Sequence, residues 1–180
     1  MSNVEEFPTT ATRKLTEYEA FLAAAPAALE AIPVGVYVCD REGRVVLHNA
    51  EAARMWGRAP AADGQERFCG SHRLFLPDGS PLDHDKCPMA AALATGEAVG
   101  GAEVLIEKPD GSRVRALVNI RPLKSHDGGV EGAINCFQDV TAQREAEGEA
   151  HRRGKDLEDF FENGAVGLHV VSGEGIIVRA

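Results

Sequence analysis

One stretch of this sequence occurs twice, and that repeat limits the possible folds more than any other feature. Val34-Gly35-Val36-Tyr37-Val38-Cys39-Asp40-Arg41-Glu42-Gly43-Arg44-Val45-Val46 returns 132 positions later as Val166-Gly167-Leu168-His169-Val170-Val171-Ser172-Gly173-Glu174-Gly175-Ile176-Ile177-Val178. Gly35 falls on Gly167, Glu42 on Glu174 and Gly43 on Gly175, with the apolar positions between them in line. Each copy reads as a strand, a tight turn ending in glycine, and a second strand. So long a period means two copies of a whole domain, since solenoid units are shorter. A chain that stops two strands into its second copy is expected to be a piece of a longer tandem array.

With 180 residues, the length allows one domain and a little more, in agreement with the repeat. A unit of roughly 110–130 residues buries a core without disulfides or metals. A net charge of −9 argues against a nucleic-acid surface, which needs clustered Lys and Arg. Arg113, Arg115 and Arg121 alternate along one expected strand, but acids nearby make that face a solvated one. Cys39, Cys69, Cys87 and Cys136 are scattered and suggest no disulfide framework. The N-terminus has no basic segment followed by an apolar run, and no window nears 18 apolar residues. The cytoplasm is the expected location.

Taken in order, residues 1–28 are expected to form a loose terminus and a flanking helix, with Leu15, Tyr18 and Leu22 on one face. Pro26 and Pro33 bracket a short second helix. Strands over Val34–Asp40 and Val45–His48 precede Asn49, which is placed to cap a helix running to Trp56 and stopped by Gly57. Residues 58–83 read as loop or short helix, with a turn at Pro77-Asp78-Gly79-Ser80. Cys87–Thr95 reads as a helix with Pro88 near its start and Gly96 as its stop. Three strands follow, Ala102–Glu107, Arg113–Leu123 and Val130–Asp139, joined by hairpin turns at Pro109-Asp110-Gly111-Ser112 and His126-Asp127-Gly128-Gly129. Residues 142–163 form a charged helical linker, weakened at Gly148 and Gly154 by about 1 kcal/mol each relative to alanine. The sum is an α+β module with a five-stranded antiparallel sheet.

Over about Leu29–Thr141 the chain resembles a PAS domain, with a second copy starting near Leu157. The resemblance rests on the Gly35 and Gly43 strand pair, His48-Asn49-Ala50, Trp56-Gly57, Pro109-Asp110-Gly111 and Asp139-Val140-Thr141. It implies residues 29–141 as a sensor domain, 142–163 as a signalling helix, and 164–180 as the first strands of a truncated second domain. It also implies a sheet curved round a small cavity, and input passed by flanking helices to an effector, often a histidine kinase or a cyclic-dinucleotide enzyme. Asp139 and Thr141 then cap the exit helix and relay the signal.

Strand alternation sorts the faces. Val36, Val38, Val104, Ile106, Val118, Ile134 and Cys136 are assigned to the core, opposite Met55, Trp56, Met89 and Leu93, as candidates to line a ligand cavity. Tyr37, Leu105, Leu117 and Phe137 are assigned to the other face, as a patch covered by the N-terminal helix of the same or a partner chain. A homodimer is expected on that basis.

Cys69-Gly70-Ser71-His72 and His84-Asp85-Lys86-Cys87 supply two Cys and two His, the types that close a zinc site, though in an order no common finger uses. Arg67-Phe68-Cys69-Gly70 departs on both sides from the Asn-Cys-Arg-Phe-Leu-Gln motif of flavin-binding light sensors, which argues against flavin. His72 and His84 lie in expected loop, unlike the helical axial His of haem-binding relatives. No G-x-S-x-G, phosphate-binding loop or H-E-x-x-H is present. The reading is a non-enzymatic sensory and interaction module, with either no cofactor or an unknown small molecule, from a two-component histidine kinase or similar signalling protein. Its alternative is a metal- or haem-containing redox sensor using Cys69, His72, His84 and Cys87.

Overall fold

In the computed structural model, residues 26–60, 65–163, 170–171, 173–174 and 177–179 are described; Leu15, Tyr18 and Leu22 lie outside them. Helix α1 (Pro26–Glu30) leads to β1 (Gly35–Asp40) and β2 (Val45–His48). Gly43, at φ 84°, closes the turn between these strands in the left-handed conformation that glycine adopts without penalty. Helix α2 (Ala50–Trp56) follows at once, because Asn49 caps it by accepting from Ala52 N. Gly57 ends it at φ 70°, its N–H reaching the carbonyls of Ala53 and Arg54.

The region read as loop contains two short strands, β3 (Arg73–Phe75) and β4 (Pro81–Leu82), paired across the turn at Pro77–Ser80. After a 3-10 turn at His84–Lys86 come α3 (Pro88–Thr95) and the long strands β5 (Val99–Glu107), β6 (Arg113–Lys124) and β7 (Val130–Asp139). The sheet has seven strands in the order β2-β1-β7-β6-β5-β3-β4, with each neighbouring pair antiparallel. The expected five-stranded sheet is thus corrected by a β3–β4 hairpin on the free edge of β5. Strands of three and two residues carry no alternation that a sequence reading can detect.

Helices α2 and α3 cover one face of the sheet, α2 against β1 and β5, α3 against β5, β6 and β7. The main core lies there and includes Tyr37, Trp56, Met55, Met89, Ile106, Ile120 and Phe137. The opposite face has a smaller cluster, in which Leu29 of α1 packs on Val36 with Ile32, Val34, Leu47, Ile134 and Cys136. Asn49, almost wholly buried, joins these parts. Its Oδ1 accepts from Val36 N and Ala52 N, each at 2.9 Å. Its Nδ2 donates towards the carbonyls of Leu29, Ile32 and Val34 at 2.9–3.3 Å.

Residues from Val140 onward form a separate unit. Helix α4 spans Thr141–Asn163, with Arg144 N donating to Val140 O at the start and an Arg144–Glu147 ion pair of 2.6 Å on its surface. Strands β8 (Val170–Val171) and β9 (Ile177–Arg179) pair antiparallel. Their register, Val170↔Arg179 and Val171↔Ile177 with an irregularity after Val170, reproduces Val38↔Leu47 and Cys39↔Val45 with the irregularity after Val38. The repeat seen in sequence is therefore also a repeat of strand pairing.

Candidate functional site

Strand register fixes which side chains face the helices. Tyr37 pairs with Asn135, which pairs with Ile120; Gly35 pairs with Phe137, which pairs with Val118. These rows lie on the helix-covered face. Between sheet and helices they enclose a cavity of about 20 Å³, room for about one water. Three rings crowd it. Tyr37 meets Trp56 edge-on with centroids 5.1 Å apart, and Phe137 stands 5.7 Å from Tyr37 and 5.8 Å from Trp56.

Of the expected cavity residues, Trp56, Met89, Val104, Ile106 and Val118 line this space. Met55 and Leu93 belong to the surrounding core without reaching it. Val36, Val38, Ile134 and Cys136 are on the opposite face, and three of them pack with Leu29. The patch of Tyr37, Leu105, Leu117 and Phe137 is split in the same way. Tyr37 and Phe137 wall the cavity, while Leu105 and Leu117 stay half-buried on the outer face. Alternation was right in β5 and β6 and inverted in β1 and β7. The reason is that β1 is buried on both sides, every residue from Gly35 to Cys39 being buried. An alternating pattern tells which residues share a face and not which face meets the helices.

Asn135 is the lining residue that sequence reasoning missed with a signal available. A polar residue between Ile134 and Cys136 breaks an apolar run, and here it is buried with its Oδ1 accepting from Asn119 N at 3.1 Å. Cys69, Leu74, Cys87, Pro88 and Ile120 also line the cavity. Burial pushes the Cys87 thiol up to about 11 and raises Cys69 and Tyr37 as well.

The four residues of the expected metal alternative separate. Cys69 and Cys87 line the interior cavity, His72 and His84 line clefts at the surface, and of the two cysteines only Cys69 reaches one of those clefts as well. His84 Nε2 is 3.1 Å from the buried Ser71 Oγ. Among the described residues no three His, Cys, Asp or Glu side chains converge as metal ligands. No helix among them is long and apolar enough to cross a membrane. Arg113 and Arg115 pair with Glu107 at 2.9 Å and Glu103 at 3.1 Å, in keeping with a solvated strand face. Asp139 ends β7 and Thr141 begins α4.

A curved antiparallel sheet with helices closed over a small interior cavity defines a class of sensory α+β modules. The family model for the PAS fold matches residues 29–145, and the chain belongs to that family. It therefore carries a sensory, signalling domain. No curated protein matches its sequence. Among solved structures, an RNA-binding light-oxygen-voltage receptor is similar at 24% identity and a TM-score of 0.55, over 84% of this chain and 41% of that one. The chain thus spans less than half the length of that receptor. The PAS domain of the fruit-fly ELK potassium channel matches at 18% identity and a TM-score of 0.53, over 67% of this chain and 98% of that one. A light-oxygen-voltage protein of Rhodobacter sphaeroides matches at 18% identity and a TM-score of 0.50, over 79% and 80%. At these identities the likeness is one of fold.

Light-oxygen-voltage proteins are thus among the solved structures of like fold. Tyr37, Trp56 and Phe137 fill the interior and leave about 20 Å³, against the roughly 300 Å³ or more of an organic-ligand pocket.

Proposed function

We propose that residues 29–141 are the sensor domain of a multidomain signal-transduction protein, with a two-component histidine kinase as its effector. The state of the interior cavity, or of a docked partner, passes through the exit helix. One observation carries this reading. Phe137 is a wall of the cavity, and the same strand runs on through Asp139 directly into α4 at Thr141. A change in the packing of Phe137 therefore acts on the residues that start the helix. Asp139 and Thr141 serve as the relay and residues 142–163 as the coupling element. The repeated strand pairing at 170–179 supports a second sensor domain beginning there. Leu105 and Leu117, half-buried on the outer face, support a homodimer through that face. The reading needs no catalytic residue in this segment and places it in the cytoplasm.

Hydrogen exchange tests the relay. Val118→Ala enlarges the cavity from a strand remote in sequence from α4. The expected result is faster exchange at residues 137–150, while protection in β5 stays within twofold. Unchanged exchange at 137–150 in a folded Val118→Ala protein overturns the relay.

A further inference from the structure

Cys69 stands between two spaces. It lines the interior cavity, with Cys87, Trp56 and Tyr37, and it also lines the surface cleft bounded by Arg58, Ser71, His72 and His84. The residue before it, Phe68, has a positive φ of 65°, an unusual conformation for a bulky side chain. Tyr37 Oη holds that turn by donating to Phe68 O at 2.9 Å.

The groups around the Cys69 sulfur are donors. Burial raises the Cys69 thiol, and the donors of Ser71, Tyr37 and Trp56 offset part of that rise by favouring a negatively charged sulfur. Trp56 is fully buried, and its indole Nε1–H has no hydrogen-bond partner. Trp56 and Cys69 line the same cavity, so a peroxide or sulfenic oxygen held there offers that donor an acceptor. Ser71 Oγ in turn lies 3.1 Å from His84 Nε2, and His84 is at the cleft. Ser71, two residues from Cys69, is thus linked to an imidazole at the surface cleft.

We propose that Cys69 is an oxidation site for small peroxides, with Cys87 as its resolving thiol. In the first step the Cys69 sulfur attacks one peroxide oxygen. The O–O bond breaks, an S–O bond forms, and the thiol proton, passed by Ser71 to His84, ends on the departing hydroxide as water. In the second step the Cys87 sulfur attacks the sulfenic sulfur. An S–S bond forms, the S–O bond breaks, and the hydroxide leaves as water with the proton of Cys87. Two thiols are oxidised by two electrons and one peroxide is reduced to two waters. Burial, which holds both thiols protonated at neutral pH, makes the step slow at rest and faster as pH rises. The role of this chemistry as a sensory input rests on the proposed function above; the oxidation itself does not.

The test exposes the 180-residue chain to hydrogen peroxide with dimedone present, followed by non-reducing peptide mass spectrometry. Wild type is expected to yield a Cys69–Cys87 disulfide while Cys39 and Cys136 remain free thiols. Cys87→Ser is expected to accumulate the dimedone adduct on Cys69. Ser71→Ala is expected to slow loss of the Cys69 thiol about tenfold, the worth of one hydrogen bond to a charged group. Oxidation of Cys136 or Cys39 before Cys69 overturns the proposal, as does an equal rate in Ser71→Ala and wild type. The wild-type map decides alone if a variant fails to fold. A Cys69–Cys87 disulfide without altered hydrogen exchange in residues 141–163 leaves the oxidation site standing and removes it as an input to the exit helix.

Discussion

The Phe137 ring lies directly over Gly35. A Cβ built on Gly35 would stand 2.6 Å from Phe137 Cε1, far inside van der Waals contact, and the two residues are cross-strand partners. Gly35→Ala is expected to lower stability by about 1–3 kcal/mol, the usual cost of forcing extra volume into a packed core. Chemical denaturation measures it. Combining it with Phe137→Leu should recover part of the loss, and strictly additive effects would show that the ring is not the obstacle.

Asn49 should be among the least replaceable polar residues. Asn49→Ala removes the cap of α2 and the acceptor for Val36 N, and strands the carbonyls that its amide serves. A loss of about 3 kcal/mol is expected from denaturation midpoints. Asn49→Asp keeps both acceptor bonds and loses the donor bonds, so it should be no more stable than wild type. A loss below about 1 kcal/mol for Asn49→Ala would contradict the central role of this side chain.

Stability should fall in alkali. Burial raises the Cys87 thiol from 9.0 to about 11, and raises Cys39, Cys69 and Tyr37 in the same direction. Below pH 9 the Cys87 thiol is protonated in both folded and unfolded chains and has no effect. Above it the unfolded chain loses that proton first, so folding weakens as pH rises through about 11. Cys87 alone accounts for a loss on the order of 2 kcal/mol. Urea unfolding at a series of pH values checks this, and Cys87→Ala should flatten the slope.

The proposed homodimer depends on the outer face of β5 and β6. Leu117→Glu should weaken self-association at least about tenfold if Leu105 and Leu117 lie at its centre. Sedimentation over a concentration series measures it. Phe137→Glu is expected instead to unfold the domain, since that ring is 2% exposed and inside. A monomeric wild type would refute the dimer.

Local chemistry was legible in the sequence and the sense of the sheet was not. Asn49 and Gly57 announce a helix by what they do to its ends, and the structure places both as caps. The hairpin turns ending at Gly43 and Gly111 are legible for the same reason. The β3–β4 pair is too short to have a pattern. The side of Tyr37 and Phe137 could not be read because Leu29 supplies β1 with a second apolar partner, so both parities look like core. Cys69 and Cys87 stood out as a motif, yet their spacing suggested metal ligands. Only the fold brings them to one cavity wall and leaves the histidines outside.

The shared register of the two hairpins has a consequence. Val38↔Leu47 and Val170↔Arg179 carry the same irregularity at the same place, although Arg179 stands where the first copy has Leu47. Strand offset in this motif is thus a property of the backbone path more than of any one side chain. The paired positions 170–171 and 177–179 thus keep the frame of 38–39 and 45–47 while a charged side chain takes the place of an apolar one.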